Sequence, residues 1–185
     1  MDRVDRDRIQ IGTHSFEKYL QREAIKSRVH ELGVDLMVDY HDKNPLFLVV
    51  LNGAFMFAAD LVRACDFAHE VEFVKMASYG GLNASGEMKR LIGLPDKMED
   101  RHILIVEDIV DTGKTIGAVR EDLLQHKPAS VEVVTLLLKP DCLECTFESP
   151  YVGFEIPPAF VVGYGLDIDG QARNFADIYQ LKKGK

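Results

Sequence analysis

Three carboxylates stand within five positions in the middle of the chain: Glu107, Asp108 and Asp111. Ionised carboxylates only accept hydrogen bonds or coordinate hard cations through oxygen, so an adjacent pair suits sugar hydroxyls or a divalent cation. Thr112-Gly113-Lys114-Thr115 follows directly. Its hydroxyls, with the main-chain N–H groups of a helix that begins there, suit a phosphate. The stretch therefore indicates a ligand with sugar hydroxyls at one end and phosphate at the other.

Two other interpretations of this stretch need weighing. Gly113-Lys114-Thr115 matches the end of the P-loop motif, but that motif requires a glycine where this chain has Asp108. A carboxylate at that position argues against a nucleoside-triphosphatase. The alternative without a ligand is an acidic strand end followed by an ordinary helix with Asp111 or Thr112 as N-cap.

The elements that must position these residues alternate between strand and helix. The apolar run 103–106 is typical of a strand buried on both faces, and 116–124 has helical spacing. Further strands are predicted at 46–51, at 71–77, at 131–138 and at the start of 160–167. Residues 15–36 are predicted to form one or two helices, with Gly33 as a possible end, and a further helix is predicted at about 55–65. This alternation predicts an α/β fold with a parallel-core sheet flanked by helices. No internal repeat appears, so 1–185 is expected to be a single domain whose N- and C-terminal segments form a small hood over the strand ends.

Composition excludes several classes of function. The chain has 185 residues, a net charge of −8 and a hydrophobic fraction of 46%, as in an ordinary soluble domain. The negative charge argues against nucleic-acid and anionic-membrane partners. No apolar run reaches the ~18 residues of a membrane span, and the charged segment 1–8 is unlike a signal peptide, so a cytoplasmic protein is expected.

The cysteines suggest no metal or redox chemistry. Cys65, Cys142 and Cys145 are an odd number, which is typical of reduced thiols in a cytosol. Cys142 and Cys145 form one C-x-x-C, but a tetrahedral zinc site needs two further ligands and no second pair exists. They are therefore predicted to be incidental thiols.

Two glycine-containing segments follow predicted strands. Asn52-Gly53-Ala54 is either a plain strand-to-helix turn or a place where main-chain N–H groups approach an anion closely. Ser78-Tyr79 precedes Gly80-Gly81-Leu82-Asn83-Ala84-Ser85-Gly86. That run is either a flexible linker or a lid over a site.

Four residues near the C-terminus have a structural and a functional interpretation. Lys139 ends a predicted strand, where ligands bind in open α/β sheets, or else it is a solvated charge at the rim. Phe160 would ordinarily be a core residue, and Asp167 and Arg173 would be solvated surface charges.

Val106 to Thr115 resembles, without a gap, the signature of the type I phosphoribosyltransferases, and the rest of the chain is similar to their hypoxanthine-guanine branch. The resemblance spans about 10–180. It implies that Glu107 and Asp108 hold the ribose hydroxyls of 5-phosphoribosyl 1-pyrophosphate and that Thr112, Gly113, Lys114 and Thr115 surround its 5′-phosphate. Asp111 is the implied catalytic residue, which exchanges a proton with the purine N7.

The resemblance also implies roles for the other segments. Asn52 and Gly53 would belong to the pyrophosphate loop, with a strained peptide between Leu51 and Asn52, and Arg173 would contact the pyrophosphate. Many members of the family have lysine where this chain has Asn52. Ser78 and Tyr79 would belong to the lid.

For the acceptor, the resemblance implies that Lys139 recognises the 6-oxo group of a purine, Phe160 stacks on the ring and Val161 adds main-chain contacts. Asp167 would lie close to the base. Mg²⁺ is the implied cofactor, with Glu107, Asp108 and Asp167 as its candidate ligands. The family is commonly dimeric or tetrameric, so a homodimer or homotetramer is expected.

The implied reaction is transfer of 5-phosphoribose to hypoxanthine or guanine. Two alternatives remain open. The acceptor could be xanthine or a pyrimidine, or the chain could be a non-catalytic sensor of the donor that binds RNA, which the acidic balance disfavours.

Overall fold

The computed structural model describes residues 7–78, 88–94 and 97–182. Within these residues the chain forms two β-sheets and three α-helices. In chain order the elements are β1 (Arg8–Ile11), β2 (His14–Leu20), α1 (Arg22–Tyr40), β3 (Leu46–Leu51), α2 (Phe55–Ala64), β4 (Glu70–Ser78), β5 (Met88–Ile92), β6 (His102–Val110), α3 (Lys114–Leu124), β7 (Ser130–Leu138), a 3₁₀ turn (Pro140–Cys142), β8 (Tyr151–Glu155), β9 (Val161–Val162) and β10 (Ile178–Leu181). None of the described helices is long and apolar enough to cross a membrane.

The larger sheet has the strand order β5-β4-β3-β6-β7-β8 among the described residues. Neighbouring strands from β4 to β8 run parallel, and only β5 is antiparallel, against β4. The parallel-core α/β fold expected from the sequence is therefore confirmed. The predicted strand at 103–106 is longer than its apolar run, since β6 continues through Glu107 and Asp108 to Val110.

The two central strands are buried on both faces. Alternate residues of β3 and β6 contribute to two separate hydrophobic cores. One core lies beneath α1 and α2 and contains Phe47, Val49, Leu104 and Val106. The other lies beneath α3 and contains Leu46, Leu48, Ile103 and Ile105. This two-sided burial explains why both strands have continuous apolar sequences.

The chain reverses its direction of winding between β3 and β6. From β3 it moves outward through α2 to β4, and it then returns to place β6 on the other side of β3. The loops that leave the carboxyl ends of β3 and β6 thus diverge from neighbouring strands. Ligands in open α/β sheets bind in the crevice at such a point.

The helix predicted over 15–36 is wrong in its first part. Residues 14–20 form β2, which pairs with β1 and β10, and only from Arg22 does the chain become helical. The apolar side chains there follow an inward and outward alternation around fully buried Phe16. Pairing with residues more than a hundred positions away decided the outcome, and local spacing does not report such pairing.

Gly33 does not end α1, which continues to Tyr40. A Cβ atom at Gly33 would lie 2.8 Å from both the Cβ and the carbonyl oxygen of Ala64. Gly33 therefore permits close packing between α1 and the end of α2.

The hood is a four-stranded antiparallel sheet in the order β1-β2-β10-β9, which combines N-terminal and C-terminal strands. Asp177, which is 3% exposed, joins this sheet to the start of α1. Its carboxylate accepts hydrogen bonds from the main-chain N–H of Arg22 at 2.9 Å and from the guanidinium at 3.1 and 2.9 Å. Burial opposes ionisation of Asp177, but the hydrogen bonds and charge of Arg22 outweigh it and lower the pKa below 3.8.

Asp177→Asn should therefore lower the free energy of unfolding at pH 7 by about 3 kcal/mol, because it removes the buried carboxylate that pairs with the Arg22 guanidinium at 2.9 Å, whereas the pair with exposed Glu23 is longer, at 3.9 Å. Since the folded-state pKa of Asp177 is depressed, its contribution is complete well above 3.8 and is lost as the pH falls through the folded-state value. Urea unfolding of wild type and variant at a series of pH values measures this. Asp42→Asn, at an exposed carboxylate, is the control. A difference that stayed constant down to the lowest pH would contradict this explanation.

Candidate active site

A cavity of about 330 Å³ opens where the loops after β3 and β6 diverge. Segments from four parts of the chain line it: the turn after β3, the end of β6 and the loop that follows, the end of β7, and the segment around β9. The lining residues are Asn52, Gly53, Asp108, Ile109, Asp111, Lys139, Phe160, Val161, Leu166, Asp167 and Arg173. The cavity is therefore built from the strand ends and the hood together.

The carboxyl groups of Glu107 and Asp108 form a buried pair at the end of β6, each 7% exposed. Burial, the neighbouring charge of Asp108 and a hydrogen bond between the two carboxyls raise the pKa of Glu107. Burial also raises the pKa of Asp108, although its hydrogen bond to Glu107 and the charge of Arg173 oppose this. Carboxyl oxygens so placed can accept hydrogen bonds from a diol or bind a cation.

Gly53 brings the turn after β3 against this acidic pair. A Cβ atom at Gly53 would lie 1.8 Å from Oδ2 of Asp108, so only glycine fits there. The peptide between Leu51 and Asn52 is cis, and Asn52 itself is exposed. The turn is therefore a close approach of main chain to a carboxylate, and its role in binding an anion stays a prediction.

The loop after β6 enters α3 through Gly113. Gly113 is the N-cap residue, with φ of +82°, and no side chain caps the helix. The prediction of Asp111 or Thr112 as N-cap is therefore wrong. A Cβ atom at Gly113 would lie 2.5 Å from Sγ of Cys145, which explains why glycine stands there. The N–H of Lys114 lies 3.4 Å from Oγ1 of Thr112, and the N–H groups that follow it in the first turn have no partner within the helix, which suits an anion.

The segment after the 3₁₀ turn packs behind this loop. The carbonyl oxygen of Thr112 accepts a hydrogen bond from the N–H of Glu144 at 3.1 Å, and the Cys145 thiol lies 3.7 Å from the same oxygen. The Lys114 ammonium forms an ion pair with Glu144 at 2.7 Å. The three cysteines are free thiols, and Cys142 and Cys145 are not joined.

Asp111 and Lys139 meet across the cavity. Lys139 Nζ lies 2.6 Å from Oδ2 of Asp111, and the two side chains are 10% and 49% exposed. The interpretation of Lys139 as a solvated rim charge is therefore wrong. The pair places a donor-only group beside an acceptor-only group in the lining of the cavity.

Phe160 is not a core residue, because 47% of it is exposed. Its ring contacts Phe16 of the hood, with centroids 6.3 Å apart and planes inclined at 46°. Val161 beside it is buried and begins β9, which is shorter than the strand predicted there. An aromatic ring supported on one side and exposed at a cavity is a stacking surface.

Asp167 and Arg173 are not independent surface charges. Arg173 Nη2 lies 2.7 Å from Oδ1 of Asp167, and Oδ2 of Asp167 accepts a hydrogen bond from the N–H of Gly170 at 2.7 Å. Arg173 Nη1 also donates to the carbonyl oxygen of Gly165 at 2.7 Å. The guanidinium is therefore held at the mouth of the cavity from two sides.

Comparison with known proteins identifies the class to which this arrangement belongs. Residues 15–169 match the model of the phosphoribosyl transferase domain. The chain belongs to the phosphoribosyltransferase family. A hypoxanthine-guanine phosphoribosyltransferase of Bacillus subtilis (strain 168) is 43% identical over 171 residues, covering 91% of this chain and 95% of that relative. The family resemblance drawn from 106–115 is thus confirmed.

Solved phosphoribosyltransferases share the fold. A hypoxanthine phosphoribosyltransferase from Staphylococcus aureus superposes with a TM-score of 0.85 at 39% identity, covering 90% of this chain and 91% of the other. A hypoxanthine-guanine phosphoribosyltransferase from Bacillus anthracis, with a HEPES molecule in its active site, gives a TM-score of 0.84 at 31% identity, covering 90% and 98%.

Most of the residues predicted for a phosphoribosyltransferase site lie around one cavity. Glu107 and Thr112 to Thr115 do not line it, although they adjoin Asp108 and Asp111, which do. Tyr79 and the segment 80–86 fall outside the described residues, and Ser78 is the last residue of β4. Sequence reasoning gave no role to Ile109 and Leu166, which also line the cavity. Their position between assigned site residues was the available signal.

The described residues contain no group of three His, Cys, Asp or Glu side chains that could hold a metal ion unaided. Both oxygens of Asp167 already have partners. The described side chains alone would thus leave the coordination shell of a cation to be completed by water or by a substrate. Mg²⁺ fits that requirement, because it commonly takes one or two carboxylates and completes its shell with water and substrate phosphates.

Proposed function

We propose that this protein transfers 5-phosphoribose from 5-phosphoribosyl 1-pyrophosphate to N9 of hypoxanthine or guanine, releasing the nucleotide and pyrophosphate. The observation that carries the proposal is the single cavity lined at once by Asp108, Asp111, Lys139 and Phe160. Asp108 is an acidic group suited to a pentose. The Lys139 ammonium, the Asp111 carboxylate and the Phe160 ring are suited to a purine. The relatives named hypoxanthine-guanine phosphoribosyltransferase support the same acceptor.

The purine would lie on Phe160 with its O6 and N7 edge towards Lys139 and Asp111. A 6-oxopurine presents O6 and N7 side by side, and an ammonium has only donors, so Lys139 suits O6 and does not suit the 6-amino group of adenine. Lys139 Nζ and Asp111 Oδ2 are 2.6 Å apart, so a donor and an acceptor lie side by side, as the adjacent O6 and N7–H groups of the purine require. Main-chain groups of Val161 would add further contacts to the base.

Asp111 would accept the proton from N7. A purine whose N9 lone pair attacks the sugar carries its imidazole proton on N7, and the nucleotide product has lost that proton. An ionised carboxylate facing N7 removes it as the new bond forms. The Lys139 ammonium, 2.6 Å from Oδ2 of Asp111, would hold that carboxylate in the cavity lining where N7 would lie.

At the donor end, Glu107 and Asp108 would accept hydrogen bonds from the two ribose hydroxyls. The N–H groups and hydroxyls of Thr112 to Thr115 would bind the 5′-phosphate at the start of α3. Asn52, Gly53 and Arg173 would face the pyrophosphate. Because cleavage at the anomeric carbon leaves positive charge on the sugar and negative charge on the pyrophosphate, these fixed groups stabilise both as they separate.

We propose Mg²⁺ as the cofactor, with Glu107, Asp108 and Asp167 as its candidate ligands; Asp167 would have to exchange its contact with Arg173 or Gly170 for the cation. When bound, Mg²⁺ neutralises charge on the leaving pyrophosphate.

We also propose that the protein is a cytoplasmic homodimer or homotetramer. Light scattering of the purified protein tests the assembly state.

An acceptor panel tests the function. Purified protein is incubated with donor, Mg²⁺ and hypoxanthine, guanine, xanthine, adenine or uracil in turn, and nucleotide formation is followed by chromatography. We expect products with hypoxanthine and guanine and none with adenine. Product with xanthine or uracil alone would replace the proposed acceptor, and no product with any base would reject the activity.

A further inference from the structure

The turn Gly163-Tyr164-Gly165-Leu166 lies directly behind the cavity. Gly163, Tyr164 and Gly165 have φ of +101°, +50° and +101°, in the left-handed region that favours glycine. Gly163 and Leu166 close the turn through main-chain hydrogen bonds of 3.0 and 3.1 Å. A tyrosine held at positive φ is strained, so the surrounding contacts must fix it.

Gly165 links this turn to Gly53 and Arg173, two of the residues assigned to the pyrophosphate. A Cβ atom at Gly165 would lie 2.2 Å from the carbonyl oxygen of Gly53, so the two main chains touch. Gly165 also exchanges two hydrogen bonds with Arg173: its N–H donates to the Arg173 carbonyl at 3.0 Å, and its own oxygen accepts from the guanidinium at 2.7 Å. The position of Gly165 therefore sets the position of Gly53 and of Arg173.

Tyr164 anchors this turn to α2. Its hydroxyl donates a hydrogen bond to Oδ2 of Asp60 at 2.7 Å, and the tyrosine is 8% exposed. Burial and the hydrogen bond to Asp60 raise the pKa of Tyr164, so the hydroxyl keeps the proton that it donates. Asp60 lies on the helix that begins immediately after Asn52-Gly53-Ala54, and its other oxygen accepts from Arg63 at 3.0 Å.

We propose that Tyr164 and Asp60 are positioning residues for the pyrophosphate half of the site. Their hydrogen bond ties the turn to the helix that carries the pyrophosphate loop, so that Gly165 holds Gly53 and Arg173 in one fixed arrangement. Neither side chain lines the cavity. This inference rests on the proposed function, because it concerns the same site and its donor.

Tyr164→Phe tests the proposal, because it removes the hydroxyl and keeps the ring. We expect the KM for 5-phosphoribosyl 1-pyrophosphate to rise about three- to tenfold, since a hydrogen bond to a charged group is lost. Product inhibition by pyrophosphate should weaken by a similar factor. The KM for hypoxanthine should stay within about twofold of wild type, because Lys139 is held by Asp111 and Phe160 packs against Phe16.

Variants of the partner separate this role from a purely structural one. Asp60→Ala removes the acceptor of this hydrogen bond at a half-exposed residue and should raise the donor KM as Tyr164→Phe does. Asp60→Asn keeps an acceptor oxygen, so its donor KM should be close to that of wild type. Arg63→Gln removes the other partner of Asp60 and should change neither substrate constant.

Calorimetric titration of pyrophosphate with Mg²⁺ into each variant gives a readout that needs no turnover. It therefore tests the anchor even if the proposed activity fails in the acceptor panel. The inference is overturned if Tyr164→Phe and Asp60→Ala bind pyrophosphate as wild type does. It is also overturned if the KM for the purine rises as much as that for the donor.

Discussion

Replacing Asp111 by asparagine should lower turnover by about a hundredfold or more, while the KM for the donor changes little. The amide of asparagine cannot accept the N7 proton. The stabilisation that is lost acts only in the transition state, as the new bond forms, so turnover falls and donor binding does not. Asp111 is half-exposed, but its partner Lys139 is only 10% exposed, so circular dichroism is needed to check that the variant remains folded. Steady-state kinetics with saturating donor and varied hypoxanthine measure the effect.

Asp141→Asn is the matched control for Asp111→Asn. Asp141 is an exposed carboxylate two residues beyond Lys139, outside the cavity lining. It changes the local charge by the same amount and should leave turnover unchanged. If Asp111→Asn retained wild-type turnover, or if Asp141→Asn lowered it equally, Asp111 would not be the proton acceptor.

Replacing Gly53 by alanine should lower kcat/KM for the donor by about a hundredfold or more, because a displacement of about 1 Å among positioning groups has that effect. The added methyl would lie 1.8 Å from Oδ2 of Asp108. Asp108 is buried and short, so either its carboxylate or the turn must move. Both are assigned to the donor.

Gly117→Ala is the control for Gly53→Ala. Gly117 lies within α3, and a Cβ atom there meets nothing within 4 Å. This change should leave kcat/KM unchanged and raise the unfolding temperature slightly, because alanine favours helix over glycine. Circular dichroism checks that Gly53→Ala remains folded. Full activity of folded Gly53→Ala would show that the close approach to Asp108 is not needed.

The central sheet could be predicted from the sequence because its strands are buried on both faces. Such strands have continuous apolar runs, and β3 was predicted with the bounds that the structure gives it. β2 was not predicted, because it is half-exposed and is paired in a small sheet between β1 and the distant β10. Its apolar residues carry no local signal that separates strand from helix.

The site could be predicted only in its residue types. Asp111 and Lys139 were assigned separately, yet the structure joins them in one ion pair. The place of Gly53 against Asp108 depends on β3 and β6 being neighbours, which no local pattern reports. Phe160 is exposed because the hood presents its ring to the cavity, whereas hydrophobicity alone indicates burial.

The central claim is that Glu107 and Asp108 bind the pentose hydroxyls while the start of α3 binds its phosphate. Calorimetric titration with ribose 5-phosphate and 2-deoxyribose 5-phosphate tests it directly, because these ligands differ by one hydroxyl. We predict that both bind and that the deoxy sugar binds about tenfold more weakly or worse, since a hydrogen bond to a charged group is lost. Equal affinity for the two sugars, or no heat with either, would contradict the claim.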